Sequence, residues 1–291
     1  RGATYRIYPN ATDAQIQATN SLASFDSDGF TLNDGGDANG NGENIVGWNW
    51  KAGGGQGSSN TDGSINTTYT SVNTTSGFSI SKYTGTGSAA TVGHGLGVAP
   101  KVVMVKNLSS SGDWRVYTET TGNQSQLSLS QDSVADSGNT AMWNSTSPTT
   151  TTFSIGTHAG VNENSSNFIA YCFASKTGFS KFGEYAGNGN ADGSFIYTGF
   201  KPAWILVKCT NASEYWHLYD NIRSPINEAK LRLLPNVNNA ESTEAGVDLL
   251  SNGFKWRNSA SNFNGSSKNY IYLAFAEEPL VASNGTPATA R

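Results

Sequence analysis

At 291 residues, with 36% hydrophobic and 11% aromatic side chains, the chain is long enough for two or three packed domains and too apolar for a disordered one. Charged residues make up only 14%, the formal net charge is −4 and the pI is near 5.4. With no basic cluster to neutralise phosphates, nucleic acid is excluded as a partner, and no window approaches the roughly 18 consecutive apolar residues of a membrane span.

Turn formers are abundant, with 31 Asn, 36 Ser, 29 Thr and 33 Gly. Between them lie short runs rich in Val, Ile, Tyr, Phe, Trp and Thr, the pattern of antiparallel sandwiches and barrels. The expected class is all-β, with tandem jelly-roll-like β-sandwich repeats of about 100 residues each. Helix is expected only as isolated turns, at DAQIQATNSLASF (13–25) and EAGVDLL (244–250).

Residues 1–50 open at Arg1 with no signal-peptide profile, which suggests processing or a fragment. The loop NDGGDANGNGE (33–43) alternates Asp37, Asn39 and Asn41 ahead of Gly42, an oxygen pattern that resembles a calcium loop. An EF-hand-type site needs a bidentate Glu eleven residues after Asp37, where Trp48 stands. Two readings follow: a cation loop of other geometry, or a solvated hairpin loop whose Asn and Gly tolerate positive φ. The closing run NIVGWNW places Val46, Trp48 and Trp50 on one strand face.

Residues 51–76 are Gly-, Ser-, Thr- and Asn-rich. They read as a flexible connector with one short edge strand at SINTTYTSV.

Residues 77–176 and 177–280 are two versions of one sequence. Pro100 and Pro202, Lys106 and Lys208, Trp114 and Trp216, Tyr117 and Tyr219 all match at a constant spacing of 102. PKVVMVK and PAWILVK are apolar on both alternating faces, as a strand covered on both sides requires. Asn167 and Asn269 open the last strand of each copy, and Asn44 takes that place in residues 1–50, where Phe30 also matches Phe153 and Phe254. YRIYPNATDAQ from Tyr5 resembles LRLLPNVNNAE from Leu231. Residues 1–50 are therefore expected to be the C-terminal half of a repeat. Its other half is expected either upstream or on another subunit. In this alignment Val46, Trp48 and Trp50 match Ile169, Tyr171 and Phe173, then Ile271, Leu273 and Phe275, so their face is assigned to the core. Residues 281–291 form a C-terminal tail.

Residues that could carry chemistry are sparse. GHGLG (93–97) and GTG (85–87) lack the Gly-Lys-Ser/Thr of a phosphate loop and read as turns. His94, His158 and His217 occupy non-equivalent positions and form no nucleophile or metal motif. Glu119 and Asp220 are the only weak candidates for a carboxylate pair, and near-equivalent places in both copies favour turn roles. Cys172 and Cys209 lie in apolar strand-like runs, which favours buried free thiols over a single bridge. Trp114 and Trp216 share a core slot, whereas Trp143, Trp256 and Tyr69 occur in one copy each and are freer to bind a ligand. No catalytic residue, cofactor or secure metal site is expected.

The strings NIVGWNWKAGGG, GFSISKYTGTGSAATVGHGLGVAPKVVMVKN, FIAYCFA, GEYAGNGNADGSFIYTGFKPAWILVK and YLAFAEEPLVASNGTPATAR together cover almost the whole chain. They resemble a duplicated β-domain of virion proteins of tailed phages, marine ones especially. In longer members a concanavalin-like jelly-roll domain often precedes this region. The resemblance implies a non-enzymatic protein of the virion surface, such as a tail fibre, tail tip or capsid appendage. Other virion proteins and further copies of the chain are the expected partners, and the low charge with abundant hydroxyl and amide side chains suits attachment to host surface polysaccharide through many weak hydrogen bonds. A purely structural assembly protein and a polysaccharide depolymerase are the alternatives.

Overall fold

The computed structural model describes residues 2–277, so the expected tail at 281–291 and the last residues of the second repeat lie outside them. The N-terminal segment contains β1 (Tyr5–Arg6), β2 (Ile16–Gln17), β3 (Leu22–Phe25), β4 (Phe30–Leu32) and the single helical turn α1 (Gly36–Asn39). Module one contains β5 (Tyr69–Asn73), β6 (Phe78–Thr84), β7 (Ala90–Gly93), β8 (Val102–Asn107), β9 (Arg115–Thr118), β10 (Ser125–Ser128), β11 (Asp136–Ser137), α2 (Thr140–Trp143), β12 (Thr152–Ile155), α3 (Ala159–Asn162) and β13 (Asn167–Phe173). Module two contains β14 (Ser180–Ala186), β15 (Phe195–Tyr197), β16 (Trp204–Cys209), β17 (Trp216–Asp220), β18 (Ala229–Arg232), β19 (Ser242–Leu250), β20 (Gly253–Trp256) and β21 (Asn269–Phe275). The fold is all-β, in several antiparallel sheets.

The sheet order β9-β8-β13-β6 in module one has its counterpart in β17-β16-β21-β14 of module two. Register agrees as well: Phe168 lies opposite Tyr83 and Asn107, and Tyr270 lies opposite Tyr185 and Cys209. Each of these sheets is covered by a second one, β7 with β12 in module one and β15-β20-β19-β18 in module two.

Strand alternation then divides the apolar residues among three cores. Phe168, Ala170 and Cys172 face the interior of module one, and Tyr270, Tyr272 and Ala274 that of module two. The opposite faces, with Met104, Trp114 and Phe173 from module one and Leu206, Trp216 and Phe275 from module two, merge into a third cluster between the modules. This is why PKVVMVK and PAWILVK are apolar on both sides.

The modules stack through matched contacts. Trp114 Nε1 donates to Tyr8 O at 2.7 Å and Lys106 Nζ to Thr12 O at 2.8 Å, which docks module one on the N-terminal segment. One module on, Trp216 Nε1 donates to Ser128 O at 2.9 Å and Lys208 Nζ to Asp132 O at 3.2 Å. Backbone amides follow the same scheme, Gly112 N to Thr12 O and Glu214 N to Asp132 O.

Several expectations are corrected. The connector at 51–76 carries its expected edge strand as β5, at the edge of the module-one sheet, but it is not a free linker, because Ile65 lies in the module-one core. Residues 13–25 carry the short strands β2 and β3, and residues 244–250 lie in β19, in place of helical turns. In β19 the two-residue alternation that buries Val247 and Leu249 in module two prevails over helical spacing. The single-copy aromatics Trp143, Trp256 and Tyr69 are buried and not displayed. The face of Tyr171 and Phe173, and of Leu273 and Phe275, packs between modules, while the sandwich interior takes the alternate residues. Residues 44–50 adopt no strand, so Trp48 and Trp50 pack half-buried on the intermodule cluster instead of inside a half-domain.

Candidate functional site

A groove of about 400 Å³ lies where the N-terminal segment and both modules meet. Its aromatic surface is Trp48, Trp50, Phe78, Phe179, Trp204 and Phe275. Trp50 stands edge-on to Trp204 at 5.3 Å and to Phe275 at 5.4 Å between ring centroids, and Trp204 meets Phe275 at 5.5 Å. The Arg223 guanidinium lies over the Trp48 ring at 5.6 Å. Trp204 Nε1 is buried and has no hydrogen-bond partner among the described residues. The N-terminal wall is held in place by Asn73, whose Nδ2 donates to Lys51 O at 3.3 Å.

Asn49, Lys51, Asn73, Ser76 and Glu277 add polar groups to this aromatic surface. Aromatic faces beside amide, hydroxyl and charged side chains are suited to stacking on the apolar face of a sugar ring and to bonding its hydroxyls. The one hydroxyl among these residues, Ser76 Oγ, is turned to the carbonyls of Lys51 and Asn73.

The remaining polar residues have other engagements. Asp37 Oδ2 accepts from Arg6 Nη1 at 2.5 Å, and Asn39 Nδ2 donates to Asn33 O at 3.1 Å, while Asn41 is exposed. Among the described residues no group of three or more His, Cys, Asp or Glu side chains is placed to hold a metal ion. Glu119 pairs with Lys101, and Asp220 accepts from the Ile222 and Arg223 amides and from Arg223 Nε at 2.7 Å. Asp220 lies opposite Trp204 just as Thr118 lies opposite Val102, so its counterpart is Thr118 and not Glu119. Both carboxylates serve turns and ion pairs.

The histidines are structural. His94 accepts from Leu96 N, His158 caps α3 by accepting from Gly160 N, and burial lowers the pKa of each. His217 is buried with neither ring nitrogen hydrogen-bonded among the described residues; burial, then Arg232 and Lys208, bring its pKa down to about 3. Cys172 and Cys209 are free, one in each module core. No helix among the described residues is long and apolar enough to cross a membrane.

Sequence reasoning missed two sets of residues. One is the buried Lys106 and Lys208, whose matched spacing was visible but whose intermodule role was not. The other is Asn162 and Asn264, each of which clamps a Tyr-x-Gly-x-Gly turn, Tyr83 to Gly87 and Tyr185 to Gly189. The signal was present in the aligned strings KYTGTG and EYAGNG.

A family model described as a domain of unknown function, DUF7483, matches residues 1–279. The chain belongs to that family. The match runs through the N-terminal segment and both modules, so the family unit includes the stack and the groove built at its junction. No curated protein and no solved structure matches the chain.

Proposed function

We propose that the chain is a non-enzymatic surface protein of a phage virion, a tail fibre, tail-tip or capsid appendage, that attaches to host surface polysaccharide through the groove. The observation that carries this reading is the set of half-buried Trp48, Trp50 and Trp204 lining a cleft of about 400 Å³ beside Asn49, Asn73 and Ser76. Weak hydrogen bonds to sugar hydroxyls, multiplied over the copies on a particle, give useful avidity without a deep pocket.

The test is a glycan array and a polysaccharide titration on the full chain, with Trp48→Ala and Asn49→Ala as groove variants. Binding that falls about tenfold in the variants, with unchanged thermal stability, supports the reading. A flat array for folded protein overturns it, and depolymerisation of a capsule would make the protein an enzyme. A second reading, a structural assembly protein, is favoured by the open side of the N-terminal segment.

A further inference from the structure

The N-terminal segment reproduces the local geometry of both modules. Gly35, which precedes α1, and His158, which precedes α3, have the same backbone angles, φ −67° and ψ 128°. Gly42, Ser165 and Ser267 occupy matching places and all take positive φ, at 78°, 65° and 61°. Asn39 Nδ2 donates to Asn33 O, Asn162 Nδ2 to Gly156 O and Asn264 Nδ2 to Asn258 O, six residues upstream in each case.

The three differ in what lies on the other side. Asn162 is fully buried; its Oδ1 accepts from Thr86 N at 2.8 Å, its Nδ2 donates to Ser88 O at 2.6 Å, and its carbonyl accepts from Gly87 N. Asn264 makes the same three bonds to Asn188 N, Asn190 O and Gly189 N. Tyr83 OH donates to Val161 O and Tyr185 OH to Phe263 O, both at 2.7 Å. Asn39 is exposed, and its side chain keeps only the Asn33 bond among the described residues. Phe30 is 39% exposed where Phe153 and Phe254 are at 1% and 0%, and Ile45 is 52% exposed where Phe168 and Tyr270 are both at 0%. Residues 44–50 make no backbone hydrogen bonds among the described residues, whereas the matching strands β13 and β21 are paired on both edges.

We infer that the face formed by Asn39, Phe30 and Ile45 is a docking site for a β-segment of a partner polypeptide that ends in a Tyr-x-Gly-x-Gly turn. The partner's tyrosine hydroxyl donates to Ala38 O, the amide between its glycines to Asn39 Oδ1, and its second glycine amide to Asn39 O. The strand ahead of the turn pairs with residues 44–50 and covers Ile45. Glycine is required at the first glycine position because a Cβ on Gly85 would lie 2.3 Å from Glu163 O, and one on Gly187 2.2 Å from Gly265 O. A second copy is not the occupant, since its Tyr83 and Tyr185 turns are both engaged within their own modules. The inference does not rest on the glycan reading: its recognition residues Asn39, Phe30 and Ile45 lie outside the groove, although the paired segment 44–50 also carries Trp48, Asn49 and Trp50 of the groove wall.

The test uses the full chain and a synthetic peptide of residues 77–89, which carries the module-one strand and turn. Titration followed by the Asn39 side-chain amide resonance and by calorimetry should give saturable binding and a shifted amide. A peptide with Gly85→Val, and the exposed-site variant Asn39→Asp with the unaltered peptide, should each bind at least about tenfold more weakly. No binding at millimolar peptide overturns the inference. So does equal binding of the Gly85→Val peptide, or a chain that self-associates and already protects the Asn39 amide without peptide. Glycan binding measured in parallel stays unchanged in Asn39→Asp, which separates the failure of one idea from the failure of the other.

Discussion

Lys106 and Lys208 are both fully buried, and each ammonium crosses a module boundary to a backbone carbonyl, Thr12 O for the first and Asp132 O for the second. Neither forms an ion pair among the described residues, so carbonyl dipoles alone replace the lost water around a buried cation. Lys106 adds Gly112 O at 2.5 Å, and Lys208 adds Cys209 O at 2.6 Å. Desolvation lowers both pKa values, Lys106 against Asp113 and Asp13, and Lys208 down to about 8 against Cys209, Asp132 and Glu214. The same device used twice makes the stack directional.

The Lys208 junction should therefore strengthen in mild alkali. Its folded pKa lies below the value near 10.5 of a free lysine. From pH 8 upward the unfolded chain holds a proton that the folded chain lacks, and stability rises with pH. Burial also raises the pKa of Cys172, Tyr219 and Tyr270, which act in the opposite sense, the thiol already between pH 8 and 9.5 and the phenols above pH 10. The effect is therefore read against a Lys208→Met control that keeps all three, over the window pH 8 to 9.5. Urea midpoints should rise across it by up to about 2 kcal/mol in the wild type. Lys208→Met should remove most of that rise, with buried Lys106 acting in the same sense, and equal slopes in the two proteins would assign it to another group.

His217 should make module two sensitive to weak acid. Burial depresses its pKa to about 3 from the free value of 6.5, so the unfolded chain takes up a proton below pH 6.5 that the folded chain refuses. The neutral ring contributes its full stability above pH 6.5 and loses it progressively toward pH 3. Between pH 6.5 and 4.5 the wild type should lose roughly 2 to 3 kcal/mol more than His217→Leu. Parallel acid titrations of the two proteins would exclude this if their midpoints fall together.

The β class and the spacing of 102 were legible because turn residues and β-branched runs mark strand ends and strand lengths locally. The double burial of PKVVMVK and PAWILVK was legible for the same reason. Which face meets which core was not, because Phe168, Ala170 and Cys172 on one side and Tyr171 and Phe173 on the other are all apolar, and only the stacking of modules distinguishes them. Trp143 and Trp256 looked free because they lack a counterpart in the other copy. Uniqueness does not imply exposure when a helical turn or a strand of the second sheet turns the ring inward. The groove was illegible in principle, since Trp50, Asn73 and Trp204 meet only after three segments pack.

Asn162 and Asn39 should respond very differently to the same truncation. Asn162→Ala leaves Thr86 N, Ser88 O and Gly156 O without the fully buried side chain that joins them. The cost should be about 3 to 5 kcal/mol in a denaturant titration. Asn39→Ala removes one exposed bond to Asn33 O and should cost less than about 1 kcal/mol. Equal costs would mean that the Asn39 face is already occupied in solution.

Both thiols should be silent until the modules unfold. Cys172 sits in the core of module one at 0% exposure, and burial pushes its pKa up to about 12, so almost no thiolate is present at neutral pH. Cys209 is equally buried in the core of module two, with its Sγ 3.5 Å from Asn211 Oδ1. Because the two lie in separate cores, bridging them would require one strand to leave its sheet, which costs far more than a disulfide returns. A chromogenic disulfide reagent should therefore detect no thiol in the native chain and two in denaturant. Each should appear at the rate at which its own module opens, so two phases are expected if the modules unfold separately and one if the stack opens as a unit. Detection of fewer than two thiols in denaturant without reductant would overturn the assignment of free cysteines, and fast labelling of the native chain would overturn the sealed cores.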